Sequence, residues 1–504
     1  MEKTFGKIRS FFWPVYRFEL KKIVPMFFMF FLFNFIYYLL KDIKEPLMVT
    51  AAGSGVEAIP FLKMWGVLPL AFLFMFIYSK LSKRLSKQKL FYCIISTFVT
   101  FFAVFVFVLY PLKDFLHPND FADKLQTILP SGFKGLIAII RNWTFALFYS
   151  MSELWGSVAI SFLFWGFSND ITSVKESKRF YALFGLGSSL AMLCSGPTII
   201  YFSKVRDNLP SGVDPWGVSL FYLISIIIVA GILIMASFFW INKYLLTDER
   251  FYPEEDQKIR KKEKPKMCFK EAFSYLIKDR YLQLIALLVV GYTTCITFAE
   301  IVWKSQLKIM FPTPNQYSAF RGYFTSVTSV LSVIMLFVGG AIVRKFGWKK
   351  AALLTPLIIF ITSIGFFGFV TFNSSLSSFV SFFNTTPLVM TIVFGTLLNG
   401  LGKTFKASLY EPTKEMAYIP LDPDVKTKGK AAIDVLVHKF SKAGGAFFLQ
   451  GLIVLFGSIL AIAPVVGVVV LLMLSLWVVG IFALNKRYMS LTDEKQSENE
   501  EILV

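Results

Sequence analysis

Apolar residues gather into long runs separated by short polar stretches. Twelve runs stand out, at 24–40, 64–79, 91–112, 143–165, 180–203, 216–242, 282–303, 322–342, 351–372, 387–402, 431–457 and 461–484. About 18–20 consecutive apolar residues suffice to cross a bilayer as a helix. Lipid offers no water to backbone N–H and C=O groups, so such runs must be helical. Weakly alternating segments of about ten residues would suggest a membrane barrel instead, and the sequence has none. The pattern predicts an all-α polytopic membrane protein with twelve transmembrane helices. The first run follows a basic N-terminus, as a signal peptide does, but the eleven runs behind it favour a retained first helix.

The runs divide six and six around the charged stretch "NKYLLTDERFYPEEDQKIRKKEKPKMCFKEAF", Asn242 to Phe273. This predicts an N-terminal six-helix half at 1–242, a charged cytoplasmic linker at 243–281, a C-terminal six-helix half at 282–485 and a charged tail at 486–504. The Lys/Arg block of the linker also offers a contact for anionic lipid. Loop charge gives the direction. The N-terminus holds Lys3, Lys7, Arg9, Arg17, Lys21 and Lys22. The loop after the second run holds Lys80, Lys83, Arg84, Lys87 and Lys89, and that after the eighth holds Arg344, Lys345, Lys349 and Lys350. Odd-numbered loops are mostly neutral or balanced, with Lys304, Lys308 and Arg321 around the seventh as the exception. Basic loops stay on the cytoplasmic side, so both termini are expected there. Two six-helix halves joined by a cytoplasmic linker point to a secondary transporter of the major-facilitator type. Lys63 at the mouth of the second run and Arg321 at that of the eighth occupy corresponding places in the two halves.

Composition supports the membrane reading. Of 504 residues, 56% are hydrophobic and 58 are Phe. Net charge is +20, from 52 Lys+Arg against 32 Asp+Glu. Such an excess can mark nucleic-acid binding, yet these residues cluster between apolar runs, where basic flanks are the simpler account. No nucleic-acid partner is expected. Cys93, Cys194, Cys268 and Cys295 have no metal-ligand spacing, and His117 and His438 cannot build a zinc site. No cofactor or metal is expected. The chain has no Walker motif or Gly-rich phosphate loop, and no nucleophile–base pair that would suggest an enzyme. Exchange or ion coupling must then drive any transport.

Charged residues inside apolar runs are few. Glu153 falls near the centre of 143–165, in "SMSELWGSV". Glu300 lies in the seventh run, and Asp434, Lys439 and Lys442 lie in the eleventh. A charge facing lipid costs several kcal/mol, so these residues face a cavity or a partner. In a two-half transporter the third and sixth helices of each half stand outside the central path, and those runs carry no charge in their cores. The alternative is a set of ion pairs locking helices together. Ser150, Glu153, Ser157 and Ser161 recur three to four apart and share a helix face. So do Asp434, His438 and Lys442, and Glu300 and Lys304 are placed to pair locally. Lys63, Arg321, Lys442 and Lys439 outnumber the carboxylates near them, which suits an anion. Lysines would act on a multiply charged phosphate as point charges and Arg321 as a fork. The many aromatic side chains could stack a base.

Five stretches resemble the nucleotide translocases (ATP/ADP translocases) of chlamydiae, rickettsiae and plastids. They are "TAAGSGVEAIPFLKMWGVLP" at Thr50–Pro69, "SELWGSVAISFLFWGFSNDIT" at Ser152–Thr172 and "RFYALFGLG" at Arg179–Gly187, then "AEIVWKSQLK" with "FPTPNQYSAFRG" at Ala299–Gly322 and "EPTKEMAYIPLDPDVKTKGKAAIDV" at Glu411–Val435. The resemblance implies import of host nucleotides in exchange for spent ones, at the inner membrane of an intracellular bacterium. ATP and ADP would be the substrates. Some members instead import several nucleoside triphosphates, GTP, UTP and CTP among them, with protons. The family's functional charges fall here on Lys63, Glu153, Glu300 and Lys442.

Three departures bear on substrate or coupling. The family reads close to "RDTKD" where this chain reads Lys41-Asp-Ile-Lys-Glu-Pro46. Pro197 stands where the family tends to have Arg, and His438-Lys439 where it tends to have Asn-Pro. A titratable His beside a lysine suits proton coupling. Glu153 is then expected to balance a cation or carry a coupling proton, with Glu300, Asp434 and His438 in similar roles.

Overall fold

The computed structural model describes residues 15–503 except 173, 206–208, 211, 246–277, 383, 423–424, 426–428 and 431. Most of the linker expected at 243–281 lies outside the described residues. Among the described residues the regular structure is helical. Spanning helices are α1 (Leu20–Val49), α2 (Ala58–Arg84), α3 (Lys87–Leu109), α4 (Trp143–Ile171), α5 (Arg179–Ser203) and α6 (Pro215–Leu245) in the first half. The second half begins with α7 (Arg280–Met310). One unbroken stretch, Pro314–Thr371, contains two spans, because Gly347 takes φ 74° and ψ 173° inside it. Only glycine enters that region without strain. It divides the stretch into α8 (314–346) and α9 (348–371). Then come α10 (Pro387–Ala417), α11 (Ala432–Phe456) and α12 (Ile459–Thr492), which with the division at Gly347 make twelve spanning helices among the described residues, six before the linker and six after it.

The helix starts follow from local chemistry. Asp214, Thr313 and Thr386 each cap a helix by accepting from a backbone N–H two or three residues on. Each is followed by a proline in the first turn, whose missing N–H would be unpaired there anyway. Between α11 and α12 the chain turns on Gly457 at φ 84°. The spans themselves are built from aromatic packing. Phe91 of α3 and Phe238 of α6 stack with centroids 3.7 Å apart, and Trp155 of α4 packs on Phe33 of α1 while donating to the Phe33 carbonyl.

Several boundaries differ from the hydropathy reading, three of them most tellingly. α1 runs to Val49 rather than stopping at residue 40, α10 runs to Ala417 rather than 402, and the last helix continues to Leu503. The first two extensions carry charged residues that composition alone reads as loop. A second difference is the widened, π-type turns at Leu62–Val67, Gly156–Phe164, Lys406–Tyr410 and Ala432–Val437. Such turns shift the side-chain register and gather at functional positions. The α-helical spacing that would align Ser157 and Ser161 with Glu153 therefore does not extend past Gly156.

Several contacts between the halves lie at the end of the bundle away from both chain termini. There α5 crosses α8 on two glycines. A Cβ on Gly196 would sit 2.8 Å from the Gly322 carbonyl oxygen, and one on Gly322 would sit 3.0 Å from that of Gly196. Asn315 donates to the Ser203 carbonyl and the Ser219 hydroxyl at 3.1 and 2.8 Å. Lys308 donates to the Ser54 carbonyl, and Gly132 leaves no room for a Cβ against the backbone of Val454. Toward the other end, no residue of Leu68–Arg84 in α2 is buried.

Candidate functional site

The site begins in the last turns of α1. Asp42, Lys44 and Glu45 are all buried there, and Lys41 is half-buried. Charges inside a membrane bundle persist only when paired and hydrogen-bonded, and each of the three buried ones is. Asp42 accepts from Arg321 Nε and Nη2 of α8 at 3.1 and 2.6 Å, and from the Thr325 hydroxyl at 2.5 Å. Glu45 accepts from Lys304 Nζ of α7 at 2.7 Å, and its other oxygen lies 3.6 Å from Arg321 Nη2. Lys44 Nζ donates to Glu153 Oε1 of α4 at 2.5 Å and lies 5.0 Å from the centre of the Tyr149 ring. α1 thus joins its own half to the other through two carboxylates and to α4 through an ammonium.

The network continues into the second half. Glu300 accepts from Lys403 of α10 at 3.2 Å and lies 3.4 Å from Lys304, one turn on in its own helix. Lys414 joins Asp434 at 3.0 Å and Glu411 at 2.8 Å, and Lys406 approaches Glu411 only to 3.9 Å. The His438 ring is 3.4 Å from the Thr293 hydroxyl. Lys442 and Lys406 are the cations whose fields reach His438 most strongly.

Of the residues singled out from sequence, Glu153, Glu300 and Arg321 join one cluster around α1. Lys63 lies within the fields of Lys304, Glu153, Glu300 and Lys44. It sits in the widened turn of α2, which presses on α4 so closely that a Cβ on Gly66 would lie 2.8 Å from Ser150 Oγ. Arg321 is not an open helix mouth but a buried side chain, 1% exposed. Asp434 stands in a separate group with Lys414, and His438 contacts Thr293 within the electrostatic reach of Lys442 and Lys406. Lys439 and Lys442 are exposed. Among the described residues, Lys41, Lys63, Lys439 and Lys442 have no ion-pair partner, so cations remain in excess. Arg321 Nη1 also lacks an acceptor.

Sequence reasoning noted Lys41-Asp-Ile-Lys-Glu-Pro46 only as a departure from the family and assigned no site role to Asp42, Lys44, Glu45 or Lys403. A signal was present. Lys41, Lys44 and Glu45 keep the three- and four-residue spacing of the helix that precedes them. A separate cavity of 280 Å³ opens near the end away from the termini, lined by Tyr110, Lys113, His117, Asn142, Asp214 and Trp216 of the first half among others and reaching Pro314 at the start of α8. None of the candidate residues lines it.

Twelve spanning helices in two halves, joined by buried charges with cations to spare, define a polytopic membrane transporter. A family model described as TLC ATP/ADP transporter matches residues 1–488. ADP,ATP carrier protein 1 of Chlamydia pneumoniae is 53% identical over 499 residues, covering 99% of this chain and 97% of that protein. The chloroplastic ADP,ATP carrier protein 1 of Arabidopsis thaliana is 45% identical, covering 95% of this chain and 76% of that protein. ADP,ATP carrier protein 1 of Rickettsia bellii (strain RML369-C) is 36% identical, covering 97% and 98%. A crystal structure of a D-xylose-proton symporter aligns with 89% of this chain and 97% of its own at TM-score 0.43 and 12% identity. The chain belongs to the TLC ATP/ADP transporter family, whose members named above are carriers and not enzymes.

Proposed function

We propose that this chain is a secondary transporter that exchanges ATP for ADP across a bacterial inner membrane by alternating access. The observation that carries the reading is the charge network between the two halves, which leaves several lysines without a counter-anion. A polyphosphate supplies the missing charge. Lys63 reaches it from the first half and Lys442 from the second, with Lys439 beside Lys442. Arg321 turns its free Nη1 toward the same anion. Glu153, Glu300 and Asp434 balance the cations when the site is empty, and His438 stands beside them as a hydrogen-bonding and coupling group rather than a counter-charge. The chain divides at the linker into halves at 1–242 and 282–485, with linker, tail and both termini in the cytoplasm, in contact with the lipid surface.

Uptake of labelled ATP into liposomes tests this, with ADP inside or a proton gradient across the membrane. Internal ADP should drive saturable uptake, and a gradient alone should not. Uptake driven by the gradient without internal nucleotide, and competed by GTP, UTP and CTP, would replace exchange with proton-coupled import of several nucleotides.

A further inference from the structure

Lys44 is a buried ammonium with one anionic partner among the described residues, Glu153 at 2.5 Å. The two ends of this pair are unlike. The Lys44 side chain is 5% exposed and held on a buried stretch of α1, while the Glu153 side chain is 33% exposed. Glu153 is also the last acidic residue before the widened turn at Gly156–Phe164, where the helix has slack. The carboxylate can therefore swing away into open space, and the ammonium cannot. A buried ammonium left without an anion is costly, so whatever displaces Glu153 must bring negative charge of its own. Lys63, with no ion-pair partner among the described residues, lies within the fields of both groups.

We propose that Lys44 is a substrate-binding residue, and that a phosphate of the nucleotide takes the place of the Glu153 carboxylate on its ammonium. The inference rests on the exchange reading above. In the empty transporter Glu153 stands in for phosphate. When substrate arrives, Lys44 and Lys63 hold the phosphate between α1 and α2, and Glu153 turns outward. The carboxylate is thus a built-in competitor. It weakens binding of the substrate, and it returns to Lys44 when the substrate leaves.

A competitor and a structural ion pair respond oppositely to neutralisation. Glu153→Gln should lower the ATP concentration that half-saturates binding by about tenfold, since it removes one charge-assisted rival, and it should slow release. Lys44→Gln should raise it by about tenfold or more, and Lys44→Arg should restore most of the affinity. In the double variant Lys44→Gln/Glu153→Gln the gain from Glu153→Gln should vanish, because its site of competition is gone. Binding of labelled ATP to detergent-purified full-length protein reads all four. Unchanged or weaker binding by Glu153→Gln would overturn the proposal, and that variant decides it even if Lys44→Gln fails to fold. The parent protein separates the two readings. Absence of saturable ATP/ADP exchange in the parent refutes the exchange reading. Exchange by the parent, without tighter binding by Glu153→Gln, refutes only the displacement of Glu153.

Discussion

Lys63 and Lys442 carry charge that no carboxylate among the described residues answers, one in each half. On the proposed reading each lysine awaits a phosphate, and losing one charge-assisted contact to substrate costs about 1.5–3 kcal/mol. Lys63→Gln and Lys442→Gln should each raise the half-saturating ATP concentration by about tenfold or more, read in the liposome exchange assay with expression matched to the parent. A different residue contributes to the response to acid. Outside the spans, His117 bonds Thr144 Oγ1 at 2.7 Å and meets the Phe145 ring edge-on at 4.9 Å. Burial pushes its imidazole below the ordinary value, with Asp114 opposing and Lys113 assisting. The unfolded chain then takes up a proton at about pH 6.5 that the folded chain resists. This contribution to stability is complete above about pH 6.5 and is lost as the pH falls below it toward the folded value. Melting temperatures of detergent-purified protein at about pH 7.5 and 5.5 should differ less for His117→Asn than for the parent. Glu153 and Glu300 were legible in the sequence because a carboxylate inside an apolar run is conspicuous. Asp42, Lys44 and Glu45 were not, because they follow directly on the end of such a run and look like the loop after it.

The helices explain why. α1 continues through Lys41-Asp-Ile-Lys-Glu because Arg321, Lys304 and Glu153 stand on other helices to receive those charges. Hydropathy scores each residue against lipid, and here the surroundings are three charged neighbours contributed by α4, α7 and α8. The same reason extends α10 past residue 402, where Lys403 finds Glu300. The break at Gly347 was legible as a basic loop between two runs, although the helix resumes at once. What no single segment encodes is the fit of α5 on α8. Gly196 and Gly322 bring the two backbones together, and a Cβ on Gly322 would also lie 2.8 Å from Ile200 Cγ1. Small residues permit such approach between membrane helices, and overfilling a packed contact costs about 1–3 kcal/mol. Gly322→Leu should therefore lower the melting temperature and slow ATP/ADP exchange, while Gly368→Leu, where a Cβ meets nothing within 4 Å, should leave both near the parent values. Equal effects of the two substitutions would show that the crossing is not a tight contact.

At the scale of the molecule, exchange as proposed requires the buried pairs at the end away from the termini to open. α1 and α5 are tied together, since Lys22 of α1 bonds Glu176 at 2.9 Å, and Arg179 of α5 grips Glu19 at 2.5 and 2.8 Å. The first half can thus swing as a body that carries Asp42 and Glu45 away from Arg321 and Lys304. When these pairs separate, water replaces each partner. Removing one partner beforehand penalises only the closed arrangement, where a buried charge is left short of its anion, a cost of about 3–5 kcal/mol in the dry limit. In Asp42→Asn, Arg321 would keep only Glu45, at 3.6 Å. The balance between closed and open forms should shift toward open by the difference between the two costs. Arg321, Thr325 and Thr328 lie on one face of α8, and Thr328 is 2% exposed. A cysteine placed at Thr328 in a cysteine-free background should react slowly with a membrane-impermeant maleimide applied to that face. Adding Asp42→Asn should raise the labelling rate by about tenfold, the factor that 1.4 kcal/mol buys. An unchanged rate in a normally folded variant would show that Asp42 and Arg321 do not hold this end shut, and would leave the glycine crossing of α5 and α8 to do so.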